Sequence, residues 1–135
     1  MKALEDVYRH WGAGDWTRRF PLYADEFEWG WSTEFPGIDG VYRDTTTPNP
    51  RLQTWLGPWH SWRCEAEEFL TCGEFVVVLT RYRGRGRASG VEVDVEGAHV
   101  WKLRAGKAVR LEIFADRKLA LASTPLPRVG PPPPR

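Results

Sequence analysis

The sequence predicts an α+β domain in which helices cover one face of a curved, mixed or antiparallel sheet, and three observations carry that prediction. An amphipathic stripe opens the chain, with Leu4, Val7, Tyr8 and Trp11 at i, i+3, i+4 and i+7. The second half holds runs of period-two alternation, above all Val91-Glu-Val-Asp-Val-Glu96. Helix first and a meander of strands afterwards segregates the two kinds of element, which is the α+β order.

The opening stripe predicts a helix over residues 2 to 12, ended by Gly12-Ala-Gly14. Asp15 is placed to cap a short second helix carrying Trp16 and Phe20, with Pro21 near its end. Glu26-Phe-Glu-Trp-Gly-Trp31 then reads as a strand whose Phe27, Trp29 and Trp31 share an inward face. Residues 32 to 50 hold three prolines, two glycines before Tyr42 and the run Asp44-Thr-Thr-Thr47, and read as a long loop. Loops of that length are often lids, although a wandering surface segment accounts for the composition equally well. Leu52, Trp55, Leu56, Trp59 and Trp62 fall at helical spacing around Gly57-Pro58, so a kinked or divided helix is expected over residues 51 to 62.

Residues 65 to 71 alternate weakly and are expected to join the sheet, and Arg104-Ala-Gly106 turns the chain before a last strand over residues 107 to 115. Asp116 is expected to cap a helix over residues 117 to 123. The domain is therefore set at residues 1 to 123, and the proline-rich residues 124 to 135 are expected to form an extended, disordered tail.

The most informative stretch is residues 74 to 116. Arginines at 81, 83, 85 and 87 alternate on one strand, and Glu92, Asp94 and Glu96 alternate on the next. With the connection at Ala88-Ser89-Gly90 and Arg87 opposite Glu92, Arg85 faces Asp94, Arg83 faces Glu96 and Arg81 faces Ala98, with Glu112 expected beside Arg81 on the following strand. The same register sets Tyr82 opposite Gly97, Thr80 opposite His99 and Val78 opposite Trp101 on the other face. One face is a ladder of opposite charges; the other can line a pocket.

Composition narrows the function classes. The chain has 135 residues, enough for one domain that buries about two thirds of its unfolded surface. Nineteen basic residues balance eighteen acidic ones for a net charge of +1, so no global field favours nucleic acid or an anionic membrane. The arginine run is compensated by facing carboxylates, whereas phosphate binding needs free cations. No apolar run approaches bilayer length, and Met1-Lys-Ala-Leu-Glu-Asp6 is charged and amphipathic, so a cytoplasmic protein is expected. Cys64 and Cys72 on one strand would stand about 26 Å apart, too far to bridge. His10, His60 and His99 belong to different elements, so no metal or cofactor is expected.

Eight tryptophans, four tyrosines and six phenylalanines suit an apolar cavity as well as a core. The candidate ligand-lining residues are Trp11, Trp29, Trp31, Trp55, Trp59, Val78, Thr80, Trp101, Leu111 and Ile113. His99 and Tyr82 are the candidate catalytic groups, because an imidazole beside a phenol can exchange a proton near neutral pH. The competing reading of both is a core pair satisfied by its neighbours.

The order of elements, together with Gly12-Ala-Gly-Asp-Trp16, Tyr23-Ala-Asp-Glu-Phe-Glu-Trp29 and His99-Val-Trp-Lys-Leu-Arg-Ala-Gly-Lys107 leading to Leu111-Glu-Ile-Phe-Ala-Asp116, resembles the SnoaL-like proteins of the nuclear-transport-factor-2-like superfamily. The resemblance implies a cone-shaped half-barrel with an apolar pocket between sheet and helices, commonly in a homodimer. Its enzymes include ketosteroid isomerases, epoxide hydrolases and polyketide cyclases, so fold does not settle function. The isomerases' helix-one tyrosine falls on Val7, with Tyr8 one residue away, and their base falls on Gly30, while His99 takes the place of their second donor. The epoxide hydrolases' Arg-x-Asp pair and further aspartate fall on Tyr82, Gly84 and Ile113, which rejects that chemistry. The nearest carboxylate for a cyclase base, Asp116, is expected to point away from the pocket.

The expectation is a protein that binds a small apolar or aromatic molecule, either as a cofactor-free isomerase or aldol-type cyclase or without catalysis. The alternative is a dimerisation or interaction domain whose pocket is filled by its own tryptophans.

Overall fold

A computed structural model describes residues 2–16, 20–35, 40–43 and 56–124. The elements are helix α1 (Lys2–Gly12), strands β1 (Tyr23–Trp31), β2 (Gly40–Arg43), β3 (Trp59–Cys72), β4 (Phe75–Gly86), β5 (Glu92–Arg104) and β6 (Lys107–Phe114), and helix α2 (Arg117–Ala122). The strands form one curved sheet in the order β2-β1-β6-β5-β4-β3. Every pairing is antiparallel except β1 with β6, which is parallel. The α+β class follows directly.

Helix α1 buries Leu4, Val7, Tyr8 and Trp11, the four residues of the predicted stripe. They pack on inward residues of the sheet, among them Phe27, Trp29, Val78, Trp101 and Leu111, in the main core. A second cluster lies on the opposite face, where Ala120 of α2 covers Val77, Ala98, Val100 and Phe114. Helix α2 is capped as expected: the Asp116 carboxylate accepts from the Lys118 amide at 2.8 Å. The Glu34 carboxylate reaches from beyond β1 to accept from the Ala115 and Asp116 amides, each at 2.9 Å, and fixes the chain between β6 and α2.

The β4–β5 faces are as expected, but the register differs by two residues. Arg85 faces Glu92, Arg83 faces Asp94, Arg81 faces Glu96, Thr80 faces Gly97, Val78 faces His99 and Val76 faces Trp101. The cause is the connection: Gly86 donates to Val91 at 2.8 Å, so the chain turns through four residues and not through Ala88-Ser89-Gly90 alone. An even shift preserves every facing. Arg81 is consequently clasped by Glu67, Asp94 and Glu96. Glu112 lies opposite Val100 and near Arg110, so it does not join that ladder; Arg117 from α2 does, through Glu67 and Glu96.

Three further expectations are corrected. Trp59 to Trp62 belong to β3, so the helical spacing of the tryptophans does not make a helix there; residues 51–55, including Trp55, lie outside the described residues. The expected loop over residues 32 to 50 contains β2, which pairs with β1 through Trp29 opposite Tyr42; residues 36–39 and 44–50 are not described. Asp15, Trp16 and Phe20 are not helical, and residues 17–19 of the expected second helix are not described. The tail from residue 125 onward also lies outside the described residues.

Candidate functional site

Alternation on β4 and β5 directs Val78, Thr80 and Tyr82, and Gly97, His99 and Trp101, to the face that α1 covers. His99 is 1% exposed and Tyr82 6%. The imidazole is held at both ends: Tyr8 Oη lies 2.6 Å from Nδ1, and the Tyr82 hydroxyl contacts Nε2. The Trp101 indole donates to Tyr8 Oη at 2.8 Å. Four residues from α1, β4 and β5 thus form one buried hydrogen-bonded chain.

Two glycines make room for it. A Cβ at Gly97 would lie 2.7 Å from Cε2 of Tyr82, so only glycine lets that ring lie across β5. A Cβ at Gly84 would lie 2.4 Å from Cε3 of Trp62. Trp62 occupies that slot, stacks on Tyr82 with ring centroids 5.3 Å apart, and is itself covered by Trp59 at 4.5 Å.

Burial sets the electrostatics. It pulls the His99 imidazole down from its ordinary value to about 3, and it pushes the Tyr8 and Tyr82 phenols and the Cys64 thiol well up. At neutral pH the whole group is uncharged. The Cys64 thiol and Thr80 hydroxyl flank the Tyr82 hydroxyl. Thr80 Oγ1 and Trp29 Nε1 are buried without a hydrogen-bond partner among the described residues.

The expected site residues Trp11, Trp29, Trp31, Val78, Thr80, Trp101, Leu111 and Ile113 are all buried on this side of the sheet with His99 and Tyr82. Trp59 is partly buried and packs against them from β3. Tyr8, Trp62 and Cys64 were not among the expected site residues. Tyr8 reads in the sequence as one position of a helical stripe, one residue from the place of the isomerases' helix-one tyrosine, and that offset kept it off the expected site.

Val95, directly across from Tyr82, is 46% exposed, and Val93 beside it packs only partly against the core. A separate open groove of about 410 Å³ between α1 and β3 is lined by Glu5, Tyr8, Arg9, Gly12, Glu65, Ala66 and Phe69. Among the described residues no group of three or more His, Cys, Asp or Glu is placed to hold a metal ion, and no helix is long and apolar enough to cross a membrane.

Comparison with known proteins agrees with this architecture. The chain resembles TerC, crystallised with polyporic acid, at 21% identity and a TM-score of 0.73 over 90% of this chain and 93% of that one. It resembles a nuclear-transport-factor-2-like protein from Burkholderia thailandensis at 28% identity and a TM-score of 0.71 over 92% and 96%. A putative SnoaL-like polyketide cyclase from Jannaschia is 16% identical with a TM-score of 0.62, over 90% of each chain. No curated protein matches the chain in sequence. The model of the SnoaL-like domain matches residues 4–111, which spans most of α1 through β6, and the chain belongs to the SnoaL-like family.

Proposed function

We propose that this protein binds a small apolar or aromatic molecule at the tryptophan-rich end of its cone, with Tyr82 as the polar contact and His99 behind it. The observation that carries this reading is the position of Tyr82. Its side chain is buried in the aromatic interior at 6% exposure, while its cross-strand neighbour Val95 is 46% exposed. An apolar body can lie along that wall among Trp59, Trp62 and Val93, and a polar atom on it meets the buried Tyr82 hydroxyl once the Tyr82 ring shifts to admit it. TerC, a protein of this fold, was crystallised with the small molecule polyporic acid, which supports the same class of occupant.

If the bound molecule is turned over, the chemistry is cofactor-free isomerisation or aldol-type cyclisation, in which Tyr82 stabilises charge that develops on oxygen. An imidazole held at about 3 is a poor proton carrier at neutral pH, so His99 serves by hydrogen bonding. A second reading, a non-catalytic interaction domain filled by its own aromatics, is favoured by a different observation: both ring nitrogens of His99 are already engaged. A crystal structure of protein purified without added ligand separates the two. Density against Tyr82 and Val95 supports binding, and tryptophans closed over that wall support the filled domain. The expected homodimer belongs to both readings and is checked by sedimentation velocity.

A further inference from the structure

We infer that the free edge of β3 is a docking site for a basic, extended segment of a partner protein, which adds as a further strand along residues 66–71 and lays a lysine or arginine stem in the groove beside α1. The inference is independent of the binding reading above and concerns a different surface.

Strand β3 ends the sheet order, so only its β4 side is paired. Trp62 shows which of its backbone groups face outward. Its carbonyl accepts from the Trp16 indole at 2.6 Å, away from β4, so Trp62 and Gly84 form a pair that exchanges no ladder bonds. Counting by twos along β4, Tyr82, Thr80, Val78 and Val76 belong to the same set, and the last two lie opposite Phe69 and Thr71. The N–H and C=O of Phe69 and Thr71 therefore point out of the sheet edge, where they meet no hydrogen-bonding group among the described residues. The end of α1 stands over the edge at Cys64 and Glu65: a Cβ at Gly12 would lie 3.7 Å from both the Cys64 carbonyl oxygen and Glu65 Cγ. Beyond the register shift between Ala66 and Glu68, Glu68 and Thr71 are exposed.

Charge selects the occupant. The groove of about 410 Å³ between α1 and β3 runs beside this edge, and the half-buried Phe69 ring meets Tyr8 edge-to-face at 5.9 Å in its lining. Of its charged groups, Arg9 is held by Asp6 and Glu65 by Arg83, while Glu5 has no ion pair among the described residues. Glu68, opposite Leu79 on the other face of the same edge, has none among them either. A lysine or arginine on an added strand can lay its aliphatic stem along Phe69 and bring its charge to Glu5. Main-chain bonds to Phe69 and Thr71 then hold the strand. A second copy's β3 would set glutamate against glutamate, so like charge opposes that partner.

The test titrates a capped five-residue peptide of alternating lysine and valine into the full chain at low salt, with amide hydrogen exchange as the readout. Binding should slow exchange of the Phe69 and Thr71 amides and leave the β2 edge unchanged. The same peptide with glutamate for lysine should bind at least about tenfold more weakly. So should the lysine peptide methylated at every backbone nitrogen, which cannot donate to an edge. Thr71→Pro removes an outward N–H that no ladder bond uses, so it should cut the affinity about tenfold while the urea midpoint holds. Glu5→Gln should lower it about threefold without touching the strand. Equal binding of the lysine and glutamate peptides overturns the inference, as does equal binding of the methylated peptide. Protection at Val41 in place of Thr71, or no binding of the lysine peptide, overturns it too.

Discussion

The Tyr8 hydroxyl of the first helix lies 2.6 Å from Nδ1 of His99, a residue 91 positions later on the fifth strand. That contact, extended by Trp101 and Tyr82, ties α1 to the centre of the sheet through polar groups inside an otherwise aromatic core. Buried polar chains of this kind are costly to leave half-satisfied.

Tyr8→Phe removes the acceptor of Trp101 and a partner of His99 without removing the ring. Leaving the buried indole N–H unpaired should cost about 2 kcal/mol of stability. Urea denaturation at neutral pH measures it, and an unchanged m-value would show that the folded and unfolded states are otherwise the same.

Stability should fall on acidification, with the sign set by His99. The unfolded ring takes a proton below about 6.5, whereas the folded ring resists to about 3. Within that window the unfolded chain holds the extra proton, so each unit of falling pH costs at most about 1.4 kcal/mol. Hydrogen bonds from Arg117 and Arg81 hold the Glu67 carboxyl below its ordinary 4.5. Its contribution is present above that value and is lost as the pH falls through the lower folded value. Denaturation of His99→Gln should show a flattened slope above about pH 5.5, a unit above the ordinary value of Glu67, where that carboxyl stays ionised in both states.

Gly97→Ala tests the slot that admits Tyr82. The new methyl would stand 2.7 Å from the Tyr82 ring and 3.1 Å from the Phe114 carbonyl, so one of them must move. A loss of about 1 to 3 kcal/mol is expected, together with a change in the near-ultraviolet circular dichroism of the stacked Trp62 and Tyr82.

Ala105→Asn should stabilise the protein. Ala105 and Gly106 link β5 to β6 with φ of 52° and 79°, the left-handed pair of a type I′ turn, where alanine is disfavoured and asparagine is not. A gain of about 1 kcal/mol in thermal or urea denaturation checks it.

Much of the fold is legible in the sequence because its periods are clean. The α1 stripe and the alternation of β4 and β5 place Tyr82, His99 and Trp101 on one face, and the facing survives the two-residue shift in register. The shift itself was not legible, because Arg87-Ala-Ser-Gly90 offers both a shorter and a four-residue connection and only the Gly86–Val91 hydrogen bond selects between them. Trp59 and Trp62 match a helical period by coincidence: both sit on a strand whose register shifts between Trp59 and Ser61, which breaks the alternation that would have revealed it. Tyr8 was readable as core but not as a hydrogen-bonding partner, since its role depends on a contact with β5 that no local pattern encodes.

The sealing of His99 between two tyrosines is read most directly from the titration of its own ring, followed by nitrogen NMR. A ring that stays neutral down to about pH 3 is the predicted result, and a midpoint near 6.5 would contradict it, since solvent would then reach the imidazole and the chain through Tyr8 and Tyr82 would not exist as described.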